Sequence, residues 1–294
     1  MKVVYGHTDS IYVQVDSVAK AQMICADIQD SVRKHFPNVM GLEQHPVVLE
    51  FEKYYSALGV GTTKNRNAGM ITWKDGDWLE EAEFVMTGFT AKRVSETKLA
   101  KEVQTDVLKW WVSQETLEQI NSKLSSTFND VLSGNYPLEN VIKRSRLRED
   151  RFTVRCPQCK TKYDLREMEE LKYCKKCSVS PSKFRTLEDR NPSIGSGIAG
   201  VIYACQSNSN TFDDSYLYLK VISKETFTHP LTKENKQVQY LAGSNYKDFE
   251  GSLPDWKHYA EQVVKKAEPI YRAMNWDISN IRTGTIQKTL GDWF

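Results

Sequence analysis

A chain of 294 residues is long enough to form one large domain or two modest ones with a buried core. Its 40 lysine and arginine residues nearly balance 38 aspartate and glutamate residues, so only local clusters of charge indicate a partner. No apolar run approaches the roughly 20 residues that span a bilayer, and the amino terminus lacks the pattern of a secretory signal. We therefore expect a soluble, intracellular protein without membrane contact.

The first part of the chain has the pattern of strands with one helix. β-Branched and aromatic residues flank a polar turn at 7–10, which predicts a hairpin of strands 2–6 and 11–15. The other elements predicted here are a helix over 17–36, strands over 47–58 and 70–73, and a turn at 74–77.

The character of the chain changes near residue 95. Apolar residues recur at three- and four-residue steps from Ser95 to Leu132, which predicts a long helical segment with Ser95 or Thr97 as its N-cap. The elements predicted after it are a Gly/Ser-rich loop over 191–200, strands over 201–205 and 215–222, and an amphipathic helix over 254–275. We expect a mixed α/β fold of the α+β kind, with a domain boundary between residues 94 and 95.

Four of the six cysteines form two CxxC pairs with 14 residues between them: Cys156, Cys159, Cys174 and Cys177. In a chain without an export signal, this spacing is typical of metal ligands, and four thiolates are the set that structural Zn²⁺ prefers. Four protein ligands leave no position for a catalytic water, so we predict a structural zinc insert over 154–180. Four free thiols are the less favoured alternative. Cys25 and Cys205 are predicted to be small buried apolar residues.

The predicted hairpin turn, Gly-His-Thr-Asp-Ser, carries one carboxylate, Asp9. A carboxylate at a hairpin tip suits Mg²⁺, which takes oxygen ligands and bridges carboxylates to substrate phosphates. An ordinary polar turn is the alternative, because Asp, Thr and Ser are common turn residues.

The sequence around this turn, "YGHTDSIYV", resembles the "YGDTDS" motif in the palm domain of family B DNA polymerases. The resemblance implies that Asp9 takes the position of a catalytic, metal-binding aspartate. His7 stands where the family usually has the other hairpin aspartate. Because a neutral imidazole is a poor Mg²⁺ ligand, His7 is expected to form a hydrogen bond or contact DNA.

Other stretches resemble the same family, and they follow one another along the chain in the same order as in its members. "TTKNRNAGMITW" is similar to the palm segment "TKKRYAG": Lys64 and Arg66 match its basic residues, and Asn65 and Asn67 replace a lysine and a tyrosine. "MTGFTAKRVSETKLAKEVQTDVLKWW" resembles the start of the thumb, and Arg93 lies near the position of a basic pair in the family. "LPDWKHYAEQVVKKAEPIYRAMNW" resembles the closing thumb helix of archaeal members. The resemblance implies that 1–94 is the end of a palm and 95–294 a thumb. The residues predicted to contact primer–template DNA are Lys64, Arg66, Arg93, Arg144 and Arg146.

The last eight residues, "QKTLGDWF", match the peptide that tethers polymerases to a sliding clamp. Its pattern is a glutamine, an aliphatic residue and two aromatic residues, here Gln287, Leu290, Trp293 and Phe294. The alternative is a segment, within the tail 285–294, that folds back onto its own domain.

A complete family B polymerase also needs an exonuclease domain, fingers and the palm strand with another metal-binding aspartate, and none has a counterpart here. One hairpin carboxylate cannot hold two metal ions. We therefore expect the C-terminal subunit of a split polymerase, or a fragment of a longer one, inactive without the chain that carries the missing parts. It would work in a prokaryotic cytoplasm, at the nucleoid. The alternatives are a catalytically inactive accessory subunit that binds DNA and the clamp, and an unrelated zinc-ribbon nucleic-acid binder.

Overall fold

The fold is given by a computed structural model that describes residues 2–7, 10–61, 65–89, 95–208 and 212–284. Its strands are β1 (Lys2–His7), β2 (Ser10–Gln14), β3 (Lys53–Val60), β4 (Asn67–Lys74), β5 (Asp77–Thr87), β6 (Lys143–Arg146), β7 (Thr153–Arg155), β8 (Lys162–Asp164), β9 (Arg185–Thr186), β10 (Ser215–Thr228) and β11 (Asn235–Gly243). Its α-helices are α1 (Val18–His35), α2 (Lys98–Val112), α3 (Leu117–Leu132), α4 (Glu149–Phe152), α5 (Ser196–Asn208), α6 (Trp256–Met274) and α7 (Asn280–Thr283). In these ranges no helix is both long and apolar enough to cross a membrane.

All strand pairs between these elements are antiparallel, and helices pack against the sheets, which confirms the expected α+β class. The chain forms two compact units. The first consists of Met1–Phe89 with Thr105–Ile120, and the second consists of Thr90–Gln104 with Asn121–Phe294. The division falls inside α2 and α3, so each helix contributes residues to both units.

The first unit contains a three-stranded sheet in the order β3-β4-β5 and the separate hairpin β1-β2. Strand β4 supplies the buried Ala68, Ile71 and Trp73. Asp75 and Gly76 have positive φ and connect β4 to β5 in a two-residue turn, as expected from the Asp-Gly dipeptide. Helix α1 begins at the N-cap Ser17, and Ala21 is its one fully buried residue among those the structure describes.

The second unit contains the sheet β11-β10-β6 and the small sheet β8-β7-β9. Helix α6 runs from the N-cap Asp255 to Asn275, whose left-handed backbone ends it. Its apolar side is fully buried, and there the Tyr271 hydroxyl donates a hydrogen bond to the Asn121 side-chain oxygen. The predicted helix over 254–275 is thereby confirmed to within two residues at each end.

The prediction of a strand over 201–205 was wrong, because this stretch is the middle of α5. Val201, Ile202 and Ala204 are all buried, so the run is apolar on every side. A short continuous apolar run does not reveal whether its period is that of a strand or of a helix. Glycine helps α5 to lie close to the sheet: a Cβ atom on Gly200 would come within 2.8 Å of the Tyr240 carbonyl oxygen.

Other boundaries also differ from the predictions. The helical segment from 95 to 132 is two helices, separated at Gln114, which has a φ of 61°, and α3 begins with Thr116 as its cap. The strand predicted from residue 47 begins at Lys53, because the backbone at Val47 and Leu49 bonds instead to side chains of α1. Strands β5 and β11 were not predicted, since charged residues interrupt their alternation.

Candidate functional site

The hairpin that carries Asp9 in sequence is present. Strand β1 pairs with β2 from Lys2 opposite Gln14 to His7 opposite Ser10, with a bulge at Val4. The pairing of His7 with Ser10 leaves Thr8 and Asp9 between the strands in sequence. Asp9 lies outside the described residues, and only the backbone of His7 is described, so the roles assigned to both remain predictions.

Three tyrosines fix this hairpin against the three-stranded sheet. The ring centroids of Tyr5 and Tyr12 are 5.3 Å apart, and those of Tyr12 and Tyr55 are 6.0 Å apart. Burial raises the pKa of Tyr55 to about 12, so its phenol stays neutral. The Tyr5 hydroxyl donates a long hydrogen bond, of 3.5 Å, to the side-chain oxygen of Asn65. These contacts, which the sequence reasoning missed, place the hairpin beside the loop that joins β3 to β4.

That loop is closed by the Gly61 amide, which donates to the Arg66 carbonyl oxygen at 2.7 Å. Asn65 has a φ of 62°, and Gly88 packs so closely that a Cβ atom there would lie 1.9 Å from the Asn65 carbonyl oxygen. Within the described part of the chain, Arg66 has no ion-pair partner, so its charge is available to a polyanion. Lys64, beside it in sequence, lies outside the described residues, as does Arg93.

Arg144 and Arg146 lie on β6, an edge strand of the sheet β11-β10-β6. Side chains alternate along a strand, so both point to the same face, and both are exposed. Lys143 and Ser145 point to the opposite face. Among the residues described, Arg144 and Arg146 form no ion pair, whereas Arg148 is bound to Asp150 at 2.8 Å. The basic strip that looks continuous in sequence is therefore divided between two faces.

The four cysteines of the CxxC pairs converge. The sulfur atoms of Cys156, Cys159, Cys174 and Cys177 all lie within 4.8 Å of one another. The two pairs have the same local geometry. The residue after the second cysteine, Lys160 or Ser178, has a left-handed backbone and donates its amide to the carbonyl of the first cysteine at 3.0 or 3.1 Å. Both pairs are thus shaped as knuckles that turn their thiols inward.

The donor set of this cluster fits a zinc ion. Four thiolates at about 2.3 Å from a tetrahedral ion have sulfurs about 3.8 Å apart, and two sulfur pairs here lie at 3.4 Å. Burial opposes ionisation of Cys174, but hydrogen bonds from the Tyr163 hydroxyl and nearby amides outweigh it and lower the pKa of this thiol to about 6. Burial and the neighbouring cysteines raise the pKa of Cys177 to about 12. Ionisation of Cys177 at neutral pH therefore requires a nearby cation.

Tyr163, which the sequence reasoning did not select, supports the cluster. Its hydroxyl lies 3.1 Å from the Cys174 sulfur and accepts the Lys175 amide at 2.9 Å, while its ring stacks on Phe184. The other two cysteines lie apart from the cluster. Cys25 is on α1 and Cys205 on α5, and each is half-buried, so the predicted burial is partial. The predicted clamp residues Gln287, Leu290, Trp293 and Phe294 lie outside the described residues.

Comparison with known proteins gives a consistent result. The family model described as DNA polymerase family B matches residues 1–270. A DNA polymerase of Archaeoglobus fulgidus is 29% identical over 141 residues, which are 48% of this chain. The solved structure of the family B DNA polymerase from the hyperthermophilic archaeon Pyrobaculum calidifontis matches the fold over 92% of this chain, with a TM-score of 0.50 and 16% identity.

The chain spans only a small part of each of these proteins. Its match covers 16% of the length of the Archaeoglobus fulgidus polymerase and 26% of the Pyrobaculum calidifontis chain. At 16% identity the second match concerns the fold alone.

Proposed function

The chain belongs to DNA polymerase family B, and from this premise we propose that it supplies the end of the palm, the thumb and the clamp tether of a split polymerase. Residues 1–94 are then palm and 95–294 thumb. The exonuclease, the fingers and the rest of the palm would come from a larger partner subunit, and without it this chain would be inactive. The chain spans only a small share of each relative, as a subunit or a fragment of a longer polymerase would.

The observation that carries the proposal is the apolar surface of residues 2–48. Val3 and Ile11 on the hairpin are 53% and 54% exposed, and Met23 on α1 and its C-cap Phe36 are 69% and 66% exposed. A two-stranded hairpin is not stable on its own, and an apolar surface of this kind marks a site of protein–protein contact. This segment is therefore suited to pack against further palm structure.

In the proposed enzyme, Asp9 contributes one of the carboxylates that hold magnesium, because oxygen ligands are those that Mg²⁺ takes. Magnesium held there would stabilise the negative charge that develops on the α-phosphate of the nucleotide as the primer 3′-hydroxyl attacks it and pyrophosphate leaves. The larger subunit must supply the remaining carboxylates. His7 offers a hydrogen bond in place of the family's other hairpin aspartate.

The basic residues bind the primer–template duplex through its phosphates. Arg66 lies on the loop that the tyrosine contacts hold beside the hairpin, and Lys64 and Arg93 belong to the same proposed set. Arg144 and Arg146 offer two guanidinium groups on one exposed face of β6, and neither forms an ion pair with a residue that the structure describes. The zinc ion held by the four cysteines is structural, since no ligand position remains for water.

The decisive experiment mixes this chain with the larger subunit and measures primer extension. We expect extension by the mixture, none by this chain alone, and loss of at least about a thousandfold in Asp9→Ala, because a two-metal site without one of its carboxylates loses its charge and geometry. The matched control is Asp130→Ala, which removes an exposed aspartate of α3, outside the segment 2–48. It should leave extension unchanged.

An accessory role is the second candidate, and the observation that favours it is His7 in place of an aspartate. A catalytically inactive subunit would bind DNA and the clamp without contributing a metal ligand. Full primer extension by the Asp9→Ala mixture would overturn the catalytic proposal and favour this one.

A further inference from the structure

Two adjoining cavities lie in the second unit, at the sheet β11-β10-β6. The smaller has a volume of about 180 Å³, and its lining includes Lys143, Tyr218, Tyr240 and His258. The larger has a volume of about 460 Å³, and its lining includes Ser145, Arg151, Thr153, Thr186 and Tyr216. Both are lined by Ser196, Gly197 and Tyr218, so they form one groove. We call it the tyrosine groove and define it by Lys143, Arg151, Tyr216, Tyr218 and Tyr240.

The wall of the tyrosine groove is aromatic. The ring centroids of Tyr216 and Tyr218 are 5.6 Å apart, and those of Tyr218 and Tyr240 are 6.1 Å apart. Burial raises the pKa of Tyr218 to about 12, so this phenol carries no negative charge at neutral pH. Successive tyrosine rings offer flat surfaces on which nucleobases stack.

The charge available in the tyrosine groove is positive. Lys143 and Arg151 line it, and in the described ranges neither forms an ion pair. Asp150 also lines the larger cavity, but Arg148 neutralises it. A ligand that combines flat rings with negative charge therefore matches this lining.

We propose that the tyrosine groove binds single-stranded DNA, with bases stacked on Tyr218 and Tyr240 and phosphates against Lys143 and Arg151. A duplex is about 20 Å wide and cannot enter cavities of this size, whereas one unpaired strand can. Strand alternation also separates this site from the proposed duplex contacts, because Lys143 and Ser145 face the groove while Arg144 and Arg146 point to the other face. The choice of DNA rests on the proposed polymerase function.

The test uses the full chain and a fluorescein-labelled oligo(dT) of about 12 nucleotides, with binding followed by fluorescence anisotropy at fixed salt. Lys143→Ala and Tyr218→Ala should each weaken binding by roughly 5- to 50-fold. Tyr218→Phe keeps the ring and should bind within about twofold of the parent chain. The matched control is Lys224→Ala, which removes an exposed lysine of the same sheet that lines neither cavity.

Lys143 lies on an edge strand and is only half-buried, so Lys143→Ala tests the proposal even if Tyr218→Ala fails to fold. Unchanged oligo(dT) binding by Lys143→Ala would overturn the proposal. Competition by free dTTP at the same concentration as unlabelled oligo(dT) would also overturn it, because the groove would then be a site for mononucleotides.

The two proposals fail separately. Oligo(dT) binding is measured on this chain alone, and Asp9→Ala should leave it unchanged while it abolishes primer extension. Primer extension that depends on Asp9, together with unaltered oligo(dT) binding in Lys143→Ala, would support the polymerase proposal and overturn the groove proposal.

Discussion

Two glycines of the first unit let neighbouring parts of the chain approach more closely than a residue with a Cβ atom would allow. A Cβ atom on Gly59 would lie 2.0 Å from the ring of Trp111, and one on Gly88 would lie 1.9 Å from the Asn65 carbonyl oxygen. Gly88 also has a φ of 75°, which other residues rarely adopt. Gly88 therefore sets the position of the loop that carries Asn65 and Arg66.

Gly88→Ala should lower the free energy of unfolding by about 2 kcal/mol or more, because a methyl group would displace the Asn65 backbone as well as strain φ. Urea denaturation followed by circular dichroism measures this loss. The control is Gly76→Ala. Gly76 has a φ of 109° and open surroundings, so an alanine there has the φ strain but no steric clash. Equal losses in the two variants would show that Asn65 does not constrain Gly88.

His258 gives the second unit a dependence on pH. Burial and the lysines nearby lower the pKa of this imidazole, so the unfolded chain binds its proton more readily than the folded chain does. Its contribution to stability is therefore fully present above about pH 6.5 and decreases as the pH falls below that value. The charged or titratable groups that act on it are Lys220, Asp255, Lys143, Lys265 and Tyr259.

In His258→Gln, the decrease in melting temperature between pH 7.5 and pH 5.5 should be smaller than in the parent chain. Thermal melting at both pH values measures the difference. His35→Gln, at the exposed end of α1, should keep the parent's dependence on pH. An unaltered pH dependence in His258→Gln would show that other groups cause it.

At the scale of elements, the two cysteine knuckles are a repeated unit. Each is a tight turn closed by backbone hydrogen bonds. Strand β8 lies between them in the chain, and β7 and β9 flank them. Few apolar residues belong to these short strands, so an ion bound by both knuckles would add to their stability.

Cys174→Ser should reduce the bound zinc from one ion per chain to near zero and lower the melting temperature by roughly 5 °C or more. Metal analysis by mass spectrometry and thermal melting measure the two effects. The control is Cys205→Ser on α5, which lies outside the cluster and should keep its zinc. Full zinc content in Cys174→Ser would exclude a four-thiolate site.

The elements differ in how far the sequence predicted them. Both CxxC spacings predicted the cluster, because a ligand set has a local signature, and Asp75-Gly76 predicted its turn for the same reason. Helix α5 was assigned as a strand, since its apolar run has no period that distinguishes the two. The tyrosine groove had no local signature at all: Lys143, Tyr218 and Tyr240 lie on three strands that only the sheet register brings together.

For the whole molecule, the proposed tether at 285–294 should affect the stimulation of DNA synthesis by the clamp and leave DNA synthesis without the clamp unchanged. Leu290→Ala with Phe294→Ala should leave extension by the mixed subunits unchanged on a short template and remove most of its stimulation by the sliding clamp. Extension on long primed DNA, with and without clamp, measures the stimulation. Lys288→Ala, within the same segment but outside the motif, should be stimulated as strongly as the parent chain. Undiminished stimulation of the double variant would exclude this tether.

The apolar surface on the hairpin and α1 also determines how the chain behaves when it is made in excess. Open strand edges beside exposed Val3 and Ile11 favour edge-to-edge association, so we expect surplus chain to aggregate or to be degraded. For the split polymerase proposed above, a cell would then need to produce the two subunits in matched amounts, and the abundance of the larger one would set how much of this chain survives.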